Sequence, residues 1–444
     1  MDLKAIQKKI KAANIDTLRI EFPDMFGVNR GKIVPARRLE KVMEEGINCA
    51  KPTFSLDLSY NIPEGTGTAE EVNYEDMTIV PDPKTFCIVP YQENTARFIG
   101  DIYVDGKPFS YSPRWLLKKA IQKYEDKGLI PITASELEFF VFKKNGGSLE
   151  HYCDKPSNVY TVGARVDPIG LMRNLQNVLL EMGIDVLYSN HEFFQGQYEI
   201  NWKHSDALTV ADQAFTFKAV CKEFAFMNDL LVTFMGRPKD ELGGSGYHMH
   251  FSVNDAETGE NIFDDPDGKD GLSDTIRHFI GGQLAHAKGM ALLFAPTINS
   301  YKRYTLGSFA PYYIAWGLDN RSTYIRVPRE RGLGARVENR APCASANPYL
   351  ISAVALLAGL DGIEKKTDPG DYYEGDVYGE DPGTFDTVPL YMRDAIAAFK
   401  EDEVLCEAIG PEIVQNILAL RENEVERFRT HVTEWEFNEY AYHL

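Results

Sequence analysis

Three separate segments of this chain alternate charged or imidazole side chains with apolar ones, and this alternation limits the folds open to it. In ITASELEFFVF, Glu136 and Glu138 point to one face of a predicted strand, while Leu137 and Phe139 point to the other. Carboxylates on an otherwise apolar strand are costly to bury unless cations or hydrogen-bond donors compensate them. The pattern predicts either an exposed sheet face or a strand that presents two carboxylates to a metal site.

The second alternating segment carries imidazoles instead of carboxylates. In GGSGYHMHFSV, His248, His250 and Ser252 share one face of a predicted strand, and apolar side chains occupy the other. Neutral imidazole binds divalent metals, although a pair of histidines in this pattern is also common in hydrogen-bonded cores. Gly243 and Gly244, just before the strand, allow either a close backbone approach to a ligand or a plain turn.

The third segment, ARVENRAP, places Arg336, Glu338 and Arg340 on one face, so that the face reads plus, minus, plus. Such a face is either a self-neutralising ladder or a carboxylate ligand flanked by guanidinium groups that hold anionic oxygens. The preceding stretch adds further arginines on an aromatic background: Arg303, Arg321 and Arg326. Surface arginines are the alternative interpretation there.

A fourth segment, NHEFFQGQYEIN, holds Glu192 and Glu199, which face one site only if Gly196 bends or bulges the strand. Together the four segments supply glutamates, histidines and arginines, an oxygen-rich set that favours Mg²⁺ or Mn²⁺ over structural zinc. Divalent ions beside an arginine cluster suit phosphoryl transfer from a nucleotide. The chain has neither a P-loop nor a dinucleotide fingerprint, so another kind of site must hold the nucleotide.

Composition bounds the function class. The 444 residues include 47 Lys and Arg against 66 Asp and Glu, a net charge of −19, which argues against a nucleic-acid surface. No apolar run is long enough to predict a membrane span, and the first segment is an amphipathic helix without signal-peptide character. Six cysteines without a C-x-x-C pair predict neither disulfides nor a thiolate site. We expect a cytoplasmic protein.

The order of predicted elements indicates an α+β fold. Short strands alternate with turns up to about residue 105, and Ser112 is the predicted N-cap of a helix that Gly128 closes. Longer helices are predicted beyond this point, at about 167–182, 206–229, 272–291, 347–364, 386–400 and 411–428. Tyr378 falls in an acidic segment rich in Gly and Pro and is predicted to be an exposed loop residue.

The charged segments, in this order, resemble those of type I glutamine synthetase. The similar segments are ASELEFFVF, NHEFFQGQYEI, GGSGYHMHFS, INSYKR, NRSTYIRVP, RVENRAPCASANPYL and FRTHVTEWEFNEY. The resemblance implies a small β-grasp domain over residues 1–105 and a catalytic domain over 106–444, with an antiparallel sheet forming a funnel. It also implies a double-ring homo-oligomer of the dodecamer type, with sites between subunits, that uses ATP, glutamate and two or three Mg²⁺ or Mn²⁺ ions.

The resemblance also implies residue roles. One divalent ion would be bound by Glu138, Glu192 and Glu199, and a second by Glu136, His248 and Glu338. Glutamate would be held by Gly243, Gly244, Arg303 and Arg340. ATP would contact His250, Ser252, Arg321, Arg326 and Arg336. The catalytic groups would be Asp57, as a candidate amine base, with Arg303 and Arg321, and the amine pocket would hold Tyr60, Tyr160 and Phe309.

Several positions depart from the family pattern, and one bears directly on the substrate. Glutamine synthetases carry a Glu in a G-Y-E-A-P flap, whereas this chain has GSFAP with Phe309 at that position. The glutamate-loop Asn is replaced by Gly243, a Glu near the nucleotide by Leu187, and the D-G-S-S segment by Asp57 to Tyr60. Replacing a carboxylate by Phe removes charge from an ammonium pocket and adds an apolar wall.

Three functional hypotheses follow from these departures. The first is an ATP-dependent ligase that forms a γ-glutamyl amide from glutamate and an organic amine through γ-glutamyl phosphate. The second is an ordinary glutamine synthetase that uses ammonium and tolerates Phe309. The third is a catalytically silent relative that serves as a scaffold or regulator, which the converging carboxylates argue against.

Overall fold

The chain folds around two β-sheets that are covered by helices. A computed structural model describes residues 1–153, 159–305, 307–381 and 383–444. The first sheet has seven strands and comes from the N-terminal part, whereas the second has ten strands and carries the charged segments. Strands and helices are segregated along the chain instead of alternating regularly, so the predicted α+β class is confirmed.

The first sheet lies between residues 17 and 108. Its strands are β1 (Thr17–Pro23), β2 (Asn29–Pro35), β3 (Ile47–Ala50), β4 (Asp76–Pro81), β5 (Cys87–Ile88), β6 (Thr95–Val104) and β7 (Lys107–Pro108). The order is β2-β1-β6-β4-β3, with β1 and β6 parallel, and the helices α1 (Leu3–Ala12) and α2 (Leu39–Glu45) accompany it. Because β7 pairs with β6, this sheet runs slightly past residue 105. The domain boundary there stays a prediction.

The second sheet is built around one long strand. Its strands are β8 (Leu129–Asn145), β9 (Ser148–His151), β10 (Val186–His191), β11 (Gln197–Trp202), β12 (Ser205–Asp206), β13 (Leu230–Thr233), β14 (Tyr247–Asp255), β15 (Trp316–Leu318), β16 (Ile325–Val327) and β17 (Val337–Asn339). The order is β10-β11-β8-β14-β17-β16-β15. The neighbours of β8 are antiparallel to it, so their side chains meet across one face in fixed register.

The remaining helices of the described residues follow the first sheet along the chain, and some of them pack against β8. They are α3 (Pro113–Glu125), α4 (Leu171–Glu181), α5 (Ala207–Phe226), α6 (Asp274–Ala285), α7 (Ala287–Phe294), α8 (Ile298–Tyr301), α9 (Pro348–Lys365), α10 (Met392–Glu401), α11 (Glu403–Ile409), α12 (Pro411–Arg429) and α13 (Glu434–Tyr440). Ser112 caps α3 as predicted, because its hydroxyl accepts the N–H of Trp115 at 3.4 Å. Within the described ranges, no helix is both long and apolar enough to cross a membrane.

The helix predicted over 272–291 is wrong as a single element, because the chain breaks between α6 and α7 at His286. The backbone there leaves helical geometry, with φ −93° and ψ 5°. The His286 ring lies between Asp402, at 2.8 Å, and Asp361, at 3.2 Å, and these ion pairs raise its pKa despite the opposing effect of burial. The helix is therefore interrupted at His286, where the side chain forms ion pairs with two distant residues.

A buried arginine joins the first sheet to the helical layer. Arg114 on α3 contacts Asp82 at 2.9 Å and Asp101 at 2.6 Å, both from the first sheet region, and Asp212 on α5 at 2.8 Å. Removing one partner from such a buried cluster is costly, since an unpaired charge would remain inside. The two parts of the chain are therefore held in one arrangement at this point.

Candidate active site

One face of the second sheet collects the carboxylate and imidazole groups that the sequence singled out. In the register of β11, β8 and β14, Glu199 lies opposite Glu138 and His248 lies opposite Glu136. Residues directly opposite each other share a face, so these side chains point the same way. The other face buries Leu137 completely in the core. The alternation predicted for β8 is therefore present, with the polar face turned toward the site.

Two overlapping groups on this face could each hold a divalent ion. Ligand atoms of Glu136, His250 and Glu338 lie within 4.8 Å of one another, and so do those of Glu136, Glu199 and His248. His250 Nε2 is 3.0 Å from Glu136 Oε1, and His248 Nδ1 is 3.4 Å from Glu136 Oε2. Glu136 therefore belongs to both groups and lies between them.

Glu138 and Glu192 flank these groups. Glu138 Oε1 lies 3.8 Å from His248 Nε2, and Glu138 Oε2 accepts hydrogen bonds from Gln197 Nε2 and from the Gly246 N–H, both at 2.9 Å. Glu192 accepts a hydrogen bond from the Asn190 amide at 2.6 Å. The assignment of three ligands to each ion stays a prediction. His250, predicted as a nucleotide contact, lies inside one of the two groups.

Electrostatics divide the carboxylates into two sets. Burial, with the repulsion of Glu136, raises the pKa of Glu199 well above its usual range, and burial with Glu138 raises the pKa of Glu192 to about 7. The opposite holds for Glu136, where His250 and His248 outweigh burial and lower the pKa. Crowded carboxylates with raised pKa values lack a local positive charge, and a divalent cation would supply it. The donor set therefore fits a hard metal ion.

The plus, minus, plus segment folds around a fully buried Glu338. This carboxylate pairs with Arg340 at 2.5 Å and with Arg326, and although burial opposes them, Arg340 leads the charges that lower its pKa to about 2. Arg326 also pairs with Asp319 at 2.7 Å. Arg336 instead donates to His250 Nδ1 at 3.2 Å. The segment has features of both the self-neutralising ladder and the carboxylate ligand. Arginines neutralise Glu338, and its carboxylate also lies in one of the two groups that could hold a metal ion.

The glycines before β14 allow a close approach at the same place. A Cβ on Gly246 would lie 2.9 Å from His248 Nε2 and 3.2 Å from Glu138 Oε1, and one on Gly244 would lie 2.5 Å from the Arg303 side chain. Arg303 is buried and donates to the Ala341 carbonyl at 3.3 Å. Any larger residue at these positions would push the buried arginine or the carboxylates aside, so close packing against these side chains explains Gly244 and Gly246, and an approach to a ligand stays a prediction.

A cleft of about 410 Å³ opens beside Glu136. It is lined by His250, Ser252 and Arg336, three of the five predicted ATP contacts, and by Leu187. Arg326 pairs with Glu338 and does not line this cleft, and Arg321 is exposed and offers its carbonyl to Arg340 at 3.2 Å. The structure therefore brings part of the predicted nucleotide set together in one cleft.

The predicted amine side is an aromatic surface next to Glu192. Phe309 has a left-handed backbone, with φ 54°, and its ring stacks on Phe193 with centroids 6.3 Å apart and an interplanar angle of 13°. Both rings remain more than half exposed. The Tyr160 N–H donates to the carbonyl of His191, which places Tyr160 at the same loop. Sequence reasoning missed Phe193, although it directly follows a predicted ligand.

The sequence analysis did not predict a role for Phe194 and predicted the wrong environment for Tyr378. The Phe194 ring covers Gly243 so closely that a Cβ there would lie 2.0 Å from it. Any larger residue at position 243 would require the Phe194 ring to move. Tyr378 was predicted to be exposed, which is wrong, since its hydroxyl is buried and its ring packs 5.8 Å from that of Tyr312. Burial, followed by a nearby Tyr312, raises the pKa of Tyr378.

Asp57 and Tyr60 lie apart from the sheet face, in a loop packed against α12. The Asp57 carboxylate is buried and pairs with Arg427 of that helix. Tyr60 has φ 65°, is 74% exposed and lies under the guanidinium of Arg30, 5.8 Å from its ring centroid. The structure therefore places two of the predicted amine-side residues with Glu192, and it places Tyr60 and Asp57 elsewhere in the chain.

Comparison with known proteins shows the family. The family model described as the catalytic domain of glutamine synthetase matches residues 110–440. The chain belongs to the glutamine synthetase family. Glutamine synthetases of Halobacterium salinarum and Thermus thermophilus are each 36% identical to it, covering 98% of this chain and 96% and 98% of theirs. The predicted family is therefore confirmed.

Solved structures of the glutamine synthetase family are similar over nearly the whole chain. Apo GmaS, a γ-glutamylmethylamide synthetase, superposes with a TM-score of 0.88 at 31% identity and 99% coverage of both chains. GmaS in complex with ADP gives the same values. A structure described as a novel glutamine synthase homolog gives a TM-score of 0.83 at 25% identity, covering 96% of this chain and 98% of that one.

Family membership determines the class of reaction. The chain is an ATP-dependent carbon–nitrogen ligase, which sets aside the hypothesis of a silent scaffold. Members of the glutamine synthetase family bind glutamate, ATP and ammonia or an amine, use Mg²⁺ or Mn²⁺, and form oligomers. The carboxylate and imidazole groups on β8, β11, β14 and β17 suit such ions, because hard cations take oxygen ligands with an occasional imidazole.

Proposed function

We propose that this enzyme joins glutamate to an organic amine and not to ammonia. The observation that carries the proposal is the exposed pair formed by Phe309 and Phe193, of which Phe193 directly follows Glu192 and contacts it through its backbone N–H. An ammonium ion must exchange its hydration shell for carboxylates, whereas an apolar wall offers it nothing. An alkyl or aryl substituent gains free energy when it covers the same wall. The likeness to GmaS supports this assignment.

The proposed reaction has two steps. An oxygen of the glutamate γ-carboxylate attacks the γ-phosphorus of ATP, which forms γ-glutamyl phosphate and releases ADP. The amine nitrogen then attacks the γ-carbonyl carbon, phosphate leaves with the bonding electrons, and the nitrogen loses a proton to give the γ-glutamyl amide. Bound Mg²⁺ or Mn²⁺ would neutralise the phosphate oxygens during the first step.

The protein groups have complementary proposed roles. Buried Arg303 and Arg340 hold the glutamate carboxylates, with the backbone at Gly244 close to Arg303. Arg336 lines the cleft beside Glu136 and faces the phosphates, and Arg321 approaches from the exposed edge. Positioned cations of this kind act by neutralising charge that builds up on oxygen as the phosphoryl group moves. A double ring of the dodecamer type is the proposed assembly.

The alternative is an ordinary glutamine synthetase that uses ammonium, and the names of the relatives at 36% identity favour it. A panel of amines separates the two. Glutamate, ATP and Mg²⁺ are held saturating while ammonium, methylamine, longer n-alkylamines and benzylamine are compared by ADP release and by amide formation. We expect an organic amine to have the highest kcat/KM. A higher value for ammonium than for every organic amine would refute the proposal.

Substitution of Phe309 tests whether the aromatic pair causes the preference for organic amines over ammonium. Phe309→Glu introduces a carboxylate against Phe193, the residue that follows Glu192, so ammonium use should increase and use of the larger amines should decrease. Phe226→Glu is the matched control, because Phe226 is also exposed but packs with Lys144 at the end of α5. Unchanged selectivity in Phe309→Glu, or an equal change in the control, would contradict the role given to Phe309.

A further inference from the structure

A buried asparagine on β11, Asn201, lies beside one of the two groups that could hold a divalent ion. This group, termed the Glu199 group, consists of Glu136, Glu199 and His248. Asn201 is two residues after Glu199, so both side chains point to the same face of the strand. It also lies directly opposite Glu136 in the register of β11 and β8, and opposite residues of an antiparallel pair have Cβ atoms about 5 Å apart. Asn201 is therefore a close neighbour of both carboxylates.

The nitrogen of the Asn201 side chain orients Glu199. Its Nδ2 donates a hydrogen bond to Glu199 Oε1 at 3.0 Å. The carboxylates of Glu136, Glu138 and Glu192 all repel the charge of Glu199. An amide donates a hydrogen bond without adding a positive charge. Glu199 is thus held in place by a neutral group, which leaves a cation to supply the compensating charge.

The oxygen of the same side chain has no partner in the part of the chain that the structure describes. Asn201 is 4% exposed, and its Oδ1 is buried without a hydrogen bond. Such atoms cost free energy, and native proteins leave few of them. The reverse orientation of the amide would turn this oxygen toward the ionised Glu199 carboxylate, where two acceptors would meet. Since Asn201 also lines the cleft beside Glu136, its oxygen is available to an occupant of the site.

Two neighbouring amides resemble Asn201 in one respect only. Gln197 donates to Glu138 at 2.9 Å, and Asn190 donates to Glu192 at 2.6 Å. Each of them therefore orients a carboxylate, as Asn201 does. Among the described residues, however, neither of these two amides has a buried oxygen that lacks a hydrogen bond. The free acceptor distinguishes Asn201 from both and points to a ligand.

A divalent cation suits this acceptor better than another hydrogen-bond donor of the protein would. Hard cations take amide oxygens as ligands together with carboxylates and water. An amide oxygen carries no formal charge, so it adds a ligand without adding repulsion among the crowded glutamates. Mg²⁺ also keeps several of its waters, and an amide oxygen can accept a hydrogen bond from one of them.

We propose that the Asn201 side-chain oxygen joins the coordination shell of the divalent ion held by the Glu199 group, while its nitrogen orients Glu199. The oxygen binds the ion directly or accepts a hydrogen bond from a water bound to it. The inference rests on the proposed binding of an ion by the Glu199 group and is independent of the choice of amine. It adds a neutral residue to the predicted metal ligands.

The test measures Mn²⁺ binding to the full chain, without glutamate, ATP or amine, from the EPR signal of the free ion. Asn201→Leu keeps the branched shape and removes both polar atoms, whereas Asn201→Asp keeps an oxygen and loses the donor to Glu199. Asn145→Leu is the matched control, because Asn145 also donates to a glutamate, Glu150, at 2.7 Å but lies at the exposed end of β8. Thermal unfolding shows whether each variant is folded, and Asn201→Ala replaces Asn201→Leu if the latter does not fold.

A ligand role for the oxygen gives a distinctive pattern. Asn201→Leu should weaken Mn²⁺ binding by about 10- to 100-fold, the usual effect of losing a group that supports a metal site. Asn201→Asp should bind Mn²⁺ at least as tightly as the wild type, because the retained oxygen and the added negative charge outweigh the lost donor. The control should match the wild type.

Three outcomes would overturn the role of Asn201. Unchanged Mn²⁺ binding in Asn201→Leu is the first. Equal weakening in Asn201→Leu and Asn201→Asp is the second, because only the orienting hydrogen bond would then matter. The third is unchanged Mn²⁺ binding with weaker ADP binding in Asn201→Leu, which would assign the oxygen to the nucleotide. Absence of Mn²⁺ binding in the wild type would instead refute the metal site itself, and a preference for ammonium would leave every arm of this test unaffected.

Discussion

Shortening Phe309 should change how activity depends on the length of an alkylamine. In the wild type, each added methylene that covers the wall of Phe193 and Phe309 should contribute about 0.8 kcal/mol, or roughly a fourfold rise in kcat/KM. Phe309 is 54% exposed, so a ring residue of about 200 Å² leaves about 110 Å² to cover. The rise should therefore stop after a few methylenes, when the wall is covered.

Phe309→Ala removes about half of this wall, because Phe193 and Phe309 are exposed to similar extents. The gain per methylene should fall to about 0.4 kcal/mol, or roughly a twofold step in kcat/KM. The assay is ADP release for methylamine to hexylamine at saturating glutamate and ATP, with Phe226→Ala as control. A wild-type series without a slope, or an unchanged slope in Phe309→Ala, would refute the reasoning.

Two further predictions concern metal binding and pH. Adding Mg²⁺ near pH 7 should release protons, because Glu192, with a pKa of about 7, is partly protonated before the ion binds. The Glu192→Gln variant should release fewer protons than the wild type. Calorimetry of Mg²⁺ binding in buffers of different ionisation enthalpy measures the number of protons released. A release unchanged in the variant would contradict this. The ion pairs raise the pKa of His286 above 6.5, so their stabilisation is present below that pH and is lost as pH rises through the raised value. Melting temperatures should therefore depend less on pH in His286→Gln, and an identical pH dependence would refute the assignment.

Local periodicity was sufficient to predict which face of each strand carries the chemistry. The alternation around Glu136 and around His248 placed these groups correctly on their strands, because side chains of a strand alternate with a period of two. The order of predicted elements indicated the fold class, and the charged segments in their order indicated the family through the resemblance. Neither argument depends on how distant parts of the chain pack.

Contacts between distant residues could not be predicted in this way. The stacking of Phe193 on Phe309 and the pairing of Asp57 with Arg427 join residues that are far apart in sequence. Nothing in the sequence near His286 predicts the break between α6 and α7, since Asp361 and Asp402 come from other helices. Such contacts follow from tertiary packing, which overrides local propensity.

The residues proposed to select the amine are different from the buried residues on which folding stability depends. Several groups that would bind metal lie buried on strands, among them Glu199, His248 and Glu338, and Glu338 has no exposed surface, so its substitution would disturb the core. The proposed amine wall consists of Phe193 and Phe309, two exposed loop side chains. Exposed substitutions usually change folding stability by less than about 0.5 kcal/mol. The nucleophile of this ligase is therefore open to change by mutation or design, while the phosphorylation of glutamate, and the stability on which it depends, stay as they are.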